Sequence, residues 1–500
     1  MNPQTSKIKT PSIMFQGTCS NAGKSVLTAA LCRILLQDGL RVAPFKAQNM
    51  SLNSFVTRDG HEMGRAQVVQ AQACRLDPDV RMNPILLKPC SDTGSQVIVN
   101  GKPVGNMKVK EYFDYKPIAF KAVCEAYDSL AADYEVIVLE GAGSPAEVNL
   151  KENDIVNMHM ARYAESPVLL VGDIDRGGVF AAFVGTIELL NKWERELIAG
   201  FVVNKFRGQI SVVDEALTFI HKRTGHPVLG VIDYIQNLGL PEEDSVGFKQ
   251  GLFEEHRPTA GDHVTIALID LPHISNFTDF EPFLAEPDVH LKIVKSVREL
   301  GRPDAIILPG SKNVMADMNW LAESGLAKEI VKLATERKIE TIGICGGFQM
   351  LGSKIEDPHQ IESDGRTITG LGLLEISTVL EKIKTLIRRE DTHLESGLAV
   401  HGYEIHHGQT IAGKTNPVLK QHAEAGAASA DRKIWGSYLH GIFDADPFRR
   451  WFIDRLRTGK GLTPRNKICA TYDLEPAFDR LAAAFRERID MDLIYQILKI

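Results

Sequence analysis

The 500-residue chain is 44% hydrophobic and 24% charged, the proportions of a globular protein with material for two or three buried cores. Its 57 basic and 64 acidic residues give a formal charge of -7, with no block of like charge long enough to serve as a nucleic-acid arm or a membrane patch. No apolar run reaches the roughly 18 to 20 residues that cross a bilayer, and the N-terminal MNPQTSKIKTPS lacks the apolar stretch of a secretory signal, so a cytoplasmic protein is expected.

Short β-rich apolar runs at 13–15, 42–45, 136–139, 168–171, 201–203 and 228–231 alternate with helical patterns. Continuous rather than alternating hydrophobicity is expected of strands covered on both faces, which predicts a parallel α/β sheet. Residues 253–263 (FEEHRPTAGDH) break the rhythm with charge, Pro and Gly and are expected to link two α/β domains, 1–252 and 264–500. The second series has strands at 264–269, 290–294, 305–308 and 341–344, then a more polar, turn-rich region with a late strand at 435–439. From Phe478 onward a helical periodicity is expected to cap the second domain.

The first strand runs into Gly17, Thr18, Cys19, Ser20, Asn21, Ala22, Gly23, Lys24 and Ser25, followed by the helical VLTAALCRILL. Strand, glycine loop and helix make a P-loop: backbone N–H groups cradle phosphates, Lys24 neutralises their charge and Ser25 ligates magnesium. Five residues rather than four separate Gly17 from Gly23, a length also found in ATPases with GT-x-x-x-x-GKT loops. Lys46 follows the second strand and directs a cation toward the same crevice. Glu140, ending the 136–139 strand before two glycines, is the preferred magnesium ligand. Asp173 and Asp175 end another strand at that edge and suit either metal support or helix capping. Asn204 and Lys205, after FVVNK, resemble the pair that reads a nucleotide base in this binding class.

Seven cysteines, at 19, 32, 74, 90, 124, 345 and 469, form no CxxC pair and have no His at metal-ligand spacing, as expected of reduced thiols. Cys345 differs from the rest. It follows the strand TIGI and precedes Gly346, Gly347 and a helical pattern, the signature of a nucleophile elbow. The helix N-terminus would favour the thiolate, and the Gly346 N–H would donate to a tetrahedral oxyanion. His440, in GSYLHGIFD, is the expected proton partner. Gly310, in the turn LPGSK after the 305–308 strand, would supply the second oxyanion donor through its backbone.

Together the segments GTCSNAGKS, PFKAQNMSLNS, EGAGSPAEVNL, DIDRGG, NKFRG, PHISNFTDFEPF, LPGSKN, GICGGFQMLG, GYEIHHG and GSYLHGIFD closely resemble the cobyric acid synthase family of glutamine-dependent amidotransferases. The resemblance spans most of the chain. It implies a dethiobiotin-synthetase-like ATPase domain and a flavodoxin-like class I glutamine amidotransferase domain. It also implies ATP, Mg2+ and glutamine as co-reactants, and a corrinoid substrate: the b, d, e and g carboxylates of adenosylcobyrinic acid a,c-diamide, amidated through acyl phosphates. Class I glutaminases usually place Glu two residues after the catalytic His, a position held here by Ile442. Only a Cys–His dyad is therefore assigned, with Asp444 or Glu404 as further candidates to orient His440. A loosely held imidazole predicts slow glutamine hydrolysis without the other substrates. Two alternatives stay open: a cobyrinic acid a,c-diamide synthase of the same plan, and a P-loop regulatory ATPase carrying a degenerate amidotransferase module.

Overall fold

The structure is a computed structural model that describes residues 9–91, 94–236, 238–241, 258 and 260–500. It divides into two compact units, one of Met1–Ser51, Glu62–Leu240 and Asp473–Ile500, the other of Leu52–His61 and Pro241–Tyr472. The expected linker, 253–263, lies largely outside the described residues. No described helix is long and apolar enough to cross a membrane.

In the first unit, β1 (Ser12–Gly17), β2 (Val42–Phe45), β3 (Val136–Glu140), β4 (Val168–Asp173), β5 (Ile198–Phe206) and β6 (Val228–Asp233) form one sheet in the order β6-β5-β4-β1-β3-β2. Every pairing is parallel. β1 to β4 are buried at every position, which explains their unbroken apolar character. The C-terminal ends of β1 and β3 carry the phosphate loop and Glu140, at the edge where open α/β sheets bind ligands. Four strands not anticipated from the sequence, Gln48–Met50, Ile85–Ser91, Gly94–Val99 and Lys102–Lys108, make a second sheet.

The C-terminal segment does not cap the second unit as expected. The Glu475–Arg488 helix buries Phe478, Leu481, Ala482 and Phe485 in the same core as Ile13, Phe15 and Leu31. Phe485 meets Phe15 edge to face with ring centroids 6.4 Å apart. Arg33, fully buried on the Lys24–Gln37 helix, is held by Glu475 at 2.5 Å and Asp479 at 2.8 Å. Periodicity identified the helix; it could not say which core receives its apolar face.

The second unit contains β7 (Val264–Ile269), β8 (Val289–Val294), β9 (Ala305–Leu308) and β10 (Glu340–Ile344), the long strands β11 (Ile376–Thr392) and β12 (Ala399–Ala412), and β13 (Asn416–Pro417), β14 (Gly426–Ala428) and β15 (Ile434–Ser437). Its main sheet runs β8-β7-β9-β10-β15-β14-β13, parallel from β8 to β15 and antiparallel beyond. β11 and β12 pair antiparallel in a separate four-stranded sheet, where only a turn-rich region was expected. The short excursion 52–61 also belongs to this unit, so two segments, 52–61 and 473–500, fall on the opposite side of the expected division at 252 and 264.

Candidate active sites

The phosphate loop leaves β1 with the Thr18 N–H bonded to Val171 O at 2.9 Å. Gly23 has φ 98, and a side chain there would bring a Cβ to 2.0 Å from Asn204 Nδ2, so glycine is required on two counts. Lys24 is buried and donates to Cys19 O and Gly143 O, each at 3.3 Å, bridging the loop to the turn after β3. Glu140 gathers three donors: Ser25 Oγ at 2.8 Å and Lys46 Nζ at 2.8 Å on Oε1, and Gln70 Nε2 at 2.6 Å on Oε2. Ser25, Lys46 and Glu140 therefore meet as the sequence anticipates. A hydroxyl beside a carboxylate suits a hard cation that completes its shell with water and phosphate oxygens.

Asn204 and Lys205 both contact the phosphate loop. Asn204 Nδ2 donates to Ala22 O at 2.8 Å and Lys205 Nζ to Asn21 O at 2.8 Å, so both donors brace the phosphate loop. Asp173 accepts Lys205 Nζ at 2.9 Å and anchors that brace, while Asp175 pairs with Arg207 at 3.1 Å. Neither aspartate touches the Ser25 and Glu140 pair in the contacts described.

In the second unit Cys345 directly follows β10 with φ 52 and ψ -106, a strained conformation of the kind a nucleophile elbow imposes, costing about 1–3 kcal/mol. The glycines allow the turn to pack: a Cβ on Gly347 would lie 2.0 Å from Leu308 O, and one on Gly346 would lie 2.8 Å from Ser311 N. The helix that follows is only Gly346–Met350, so the anticipated helix-dipole support for a thiolate is small.

The stronger electrostatic partner is His440, three residues past the end of β15. The ring is 1% exposed. Burial alone would lower its pKa, but the Asp279 carboxylate and the Cys345 sulfur reverse this and push it up to about 10. Asp279 Oδ2 lies 2.6 Å from His440 Nδ1, and its Oδ1 accepts the Gly441 N–H at 3.0 Å. Tyr403 stacks on the ring at 5.3 Å and exchanges two backbone hydrogen bonds with His440. Gly310 adjoins the ring, since a Cβ there would be 3.0 Å from His440 Cε1. Cys345, Gly346, Gly310 and His440 thus converge.

The orienting carboxylate is Asp279, which sequence reasoning missed. Glu404 is engaged with Arg389 at 2.5 Å and His406 at 3.1 Å, and the His440 Nδ1 that Asp444 was a candidate to orient is taken by Asp279. Asp279 stands in the segment PHISNFTDFEPF, on the 3-10 turn Phe277–Ala285, 161 residues before the histidine. The only available signal was the motif itself. The expectation of a loosely held imidazole is corrected accordingly: His440 is bonded at Nδ1, stacked and buried.

A phosphate-loop unit and a unit bearing a Cys–His–Asp constellation on a parallel sheet define a two-domain, nucleotide-binding glutamine amidotransferase. Residues 13–245 match the model of the CobQ/CobB/MinD/ParA nucleotide binding domain, and residues 265–448 that of the CobB/CobQ-like glutamine amidotransferase domain. The chain is 54% identical to the cobyric acid synthase of Nitratidesulfovibrio vulgaris over 98% of each chain, and 47% identical to that of Salmonella agona over 98% of this chain and 99% of the other. It is also 53% identical to the adenosylcobalamin biosynthesis bifunctional protein CobDQ of Leptospira interrogans, covering 99% of this chain and 57% of that longer protein. The chain belongs to the cobyric acid synthase family.

Proposed function

We propose that the protein is a glutamine-hydrolysing carbon–nitrogen ligase that converts adenosylcobyrinic acid a,c-diamide to adenosylcobyric acid by amidating its b, d, e and g carboxylates. The observation that carries this reading is the convergence of Cys345, His440 and Asp279 in a chain that also assembles Ser25, Lys46 and Glu140 at a phosphate loop. A regulatory ATPase with a degenerate second module would have no need of a strained, histidine-paired cysteine.

In the glutaminase step Cys345 Sγ attacks the amide carbonyl of glutamine. The Gly310 and Gly346 N–H groups face the developing oxyanion, and the His440 ring proton goes to the departing ammonia. Water, with its proton taken by His440, then cleaves the thioester to glutamate and restores the thiolate. Asp279 keeps the ring in one tautomer and offsets its charge throughout.

In the ligase step a corrinoid carboxylate oxygen takes the γ-phosphoryl group of ATP, leaving ADP. Ammonia adds to the resulting acyl carbonyl and inorganic phosphate leaves. The activation is needed because a carboxylate is too poor an electrophile for ammonia. Lys24 and the loop N–H groups hold the phosphates, with Asn204 and Lys205 fixing the loop from behind. Ser25 and Glu140 would hold Mg2+, which supplies charge neutralisation on the β- and γ-phosphate oxygens when bound. Lys46, paired with Glu140, adds a buried cation beside this site.

Incubation with glutamine, ATP, magnesium and the adenosylated diamide, followed by product mass, tests the reading. Four amidations are expected for the wild type. Cys345→Ser is expected to lose synthesis from glutamine and keep synthesis from ammonium. No mass change, or a variant that still uses glutamine, overturns it.

A further inference from the structure

The excursion 52–61 lies far from the glutaminase residues in sequence but packs among them in the second unit. Asn276 opens the turn that carries Asp279 and has φ 53 and ψ 40, a left-handed conformation that asparagine tolerates best among residues with a side chain. Two hydrogen bonds fix it there. The Asn276 N–H donates to Asn53 Oδ1 at 2.8 Å, and the Ser54 N–H donates to Asn276 Oδ1 at 2.9 Å. Asn276 is 2% exposed and Asn53 is 2% exposed, so neither bond has water as a substitute. The Asn276 amide Nδ2 lies 3.5 Å from His440 Nε2, a packing contact while the ring is charged, and the Asn276 carbonyl accepts the Asp279 N–H at 3.0 Å.

The same segment holds the other side of the ring. Ser54 O accepts the Tyr403 hydroxyl at 3.0 Å, and Phe55 meets Tyr403 edge to face at 4.7 Å. Tyr403 is the residue stacked on His440. Both supports of the imidazole, the Asn276–Asp279 turn that holds Nδ1 and the Tyr403 ring on its face, thus rest on Asn53, Ser54 and Phe55. Ser51, two residues before Asn53, already belongs to the first unit, and Lys46 on Glu140 is seven residues away.

We infer that Asn53 and Ser54 are positioning residues for His440, acting through Asn276 and Tyr403, so that glutamine hydrolysis is set by a segment continuous with the nucleotide-binding unit. The inference rests on the proposed ligase reading. Lys46 and Asn53 are seven residues apart on one continuous segment. A shift of about 1 Å in a catalytic group is enough to cost about 100-fold in rate.

The full-length protein carrying Asn53→Ala, Asn53→Asp, Asn276→Ala or the Asn53→Ala/Asn276→Ala pair tests this, with glutamine or ammonium chloride as nitrogen source. Asn53→Ala is expected to lower glutamine-dependent kcat by about 10-fold or more, with glutamine KM and the ammonium-dependent rate kept within about twofold. Asn53→Asp keeps the acceptor oxygen and is expected to recover most of the loss. The double variant is expected to be no slower than Asn276→Ala alone, because both act on one path. An Asn53→Ala protein with unchanged glutamine use, an equal fall with ammonium, an unrescued Asn53→Asp or additive losses in the pair would overturn the inference. Cys345→Ser, run alongside, reports on the ligase reading separately: if it still consumes glutamine, that reading fails whatever Asn53 does.

Discussion

Asp279 does two things to His440: it fixes the proton on Nδ1 by accepting it at 2.6 Å, and it stabilises the charged form of a ring that is almost wholly buried. Removing the charge while keeping the shape leaves the ring free to take the other tautomer. Asp279→Asn is therefore expected to reduce glutamine-dependent turnover by on the order of 1,000-fold and to bring the His440 pKa down from about 10. Steady-state glutamate release and an NMR titration of the ring check both, and retention of turnover would exclude Asp279 from the catalytic group. A second histidine behaves in the opposite way. His393 is packed among Trp435, Phe448 and Trp451, and its Nδ1 accepts the Ser396 N–H at 3.2 Å, so the ring must be neutral. Burial, with Arg432 and Arg455 nearby, pushes its pKa down to about 4. The unfolded chain binds this proton first as pH falls, so stability is full above about pH 6.5 and is lost as pH drops toward 4, by up to about 3 kcal/mol from this group. His393→Phe is expected to flatten that part of the urea-midpoint profile; an unchanged slope would refute the assignment. Cys345 and His440 were legible because local sequence builds a nucleophile elbow and a strand end. Asp279 was not, because nothing in a spacing of 161 residues records that two turns meet.

Among the elements, the strands of both parallel sheets stand close to their sequence expectations, since burial on both faces leaves an unbroken apolar run. The late strand expected at 435–439 ends earlier, at Ser437, where the chain turns to deliver His440. β11 and β12 were unreadable for the converse reason: many of their positions are exposed or half-buried, so no apolar run marks them. The Glu475–Arg488 helix was recognisable by period but not by destination. Its contribution is measurable. Phe485→Ala removes a ring that is 1% exposed in the first unit's core and is expected to cost that unit about 4 kcal/mol. Amide exchange should accelerate in β1 while staying unchanged in β10. Equal acceleration in both would mean that the helix serves the second unit after all.

For the whole molecule, the familiar boundary at the middle of the chain is not where either unit ends. The first unit is incomplete without Asp473–Ile500, and the second is incomplete without Leu52–His61. Separately produced fragments 1–252 and 264–500 are accordingly expected to fail in different ways. The first should lack a fixed core, visible as lost near-ultraviolet dichroism, because Phe478, Leu481 and Phe485 are absent. The second should fold around its seven-stranded sheet yet release glutamate slowly, because Asn53 and Ser54 are missing from the supports of His440. A fully active 264–500 fragment would remove the need for the excursion. A linker read from composition could not reveal these exchanges, since a change of local texture marks a joint in the chain and carries no record of segments that cross it.

The placement of the Glu475–Arg488 helix also sets an order of assembly during synthesis. At about 5–20 residues per second, roughly half a minute to a minute and a half separates the emergence of Phe15 from that of Phe485. The second unit, whose last residue is Tyr472, has all its parts before the first unit does. The half of the protein made first is therefore completed only after the second unit, once the Glu475–Arg488 helix is available to cover its apolar face.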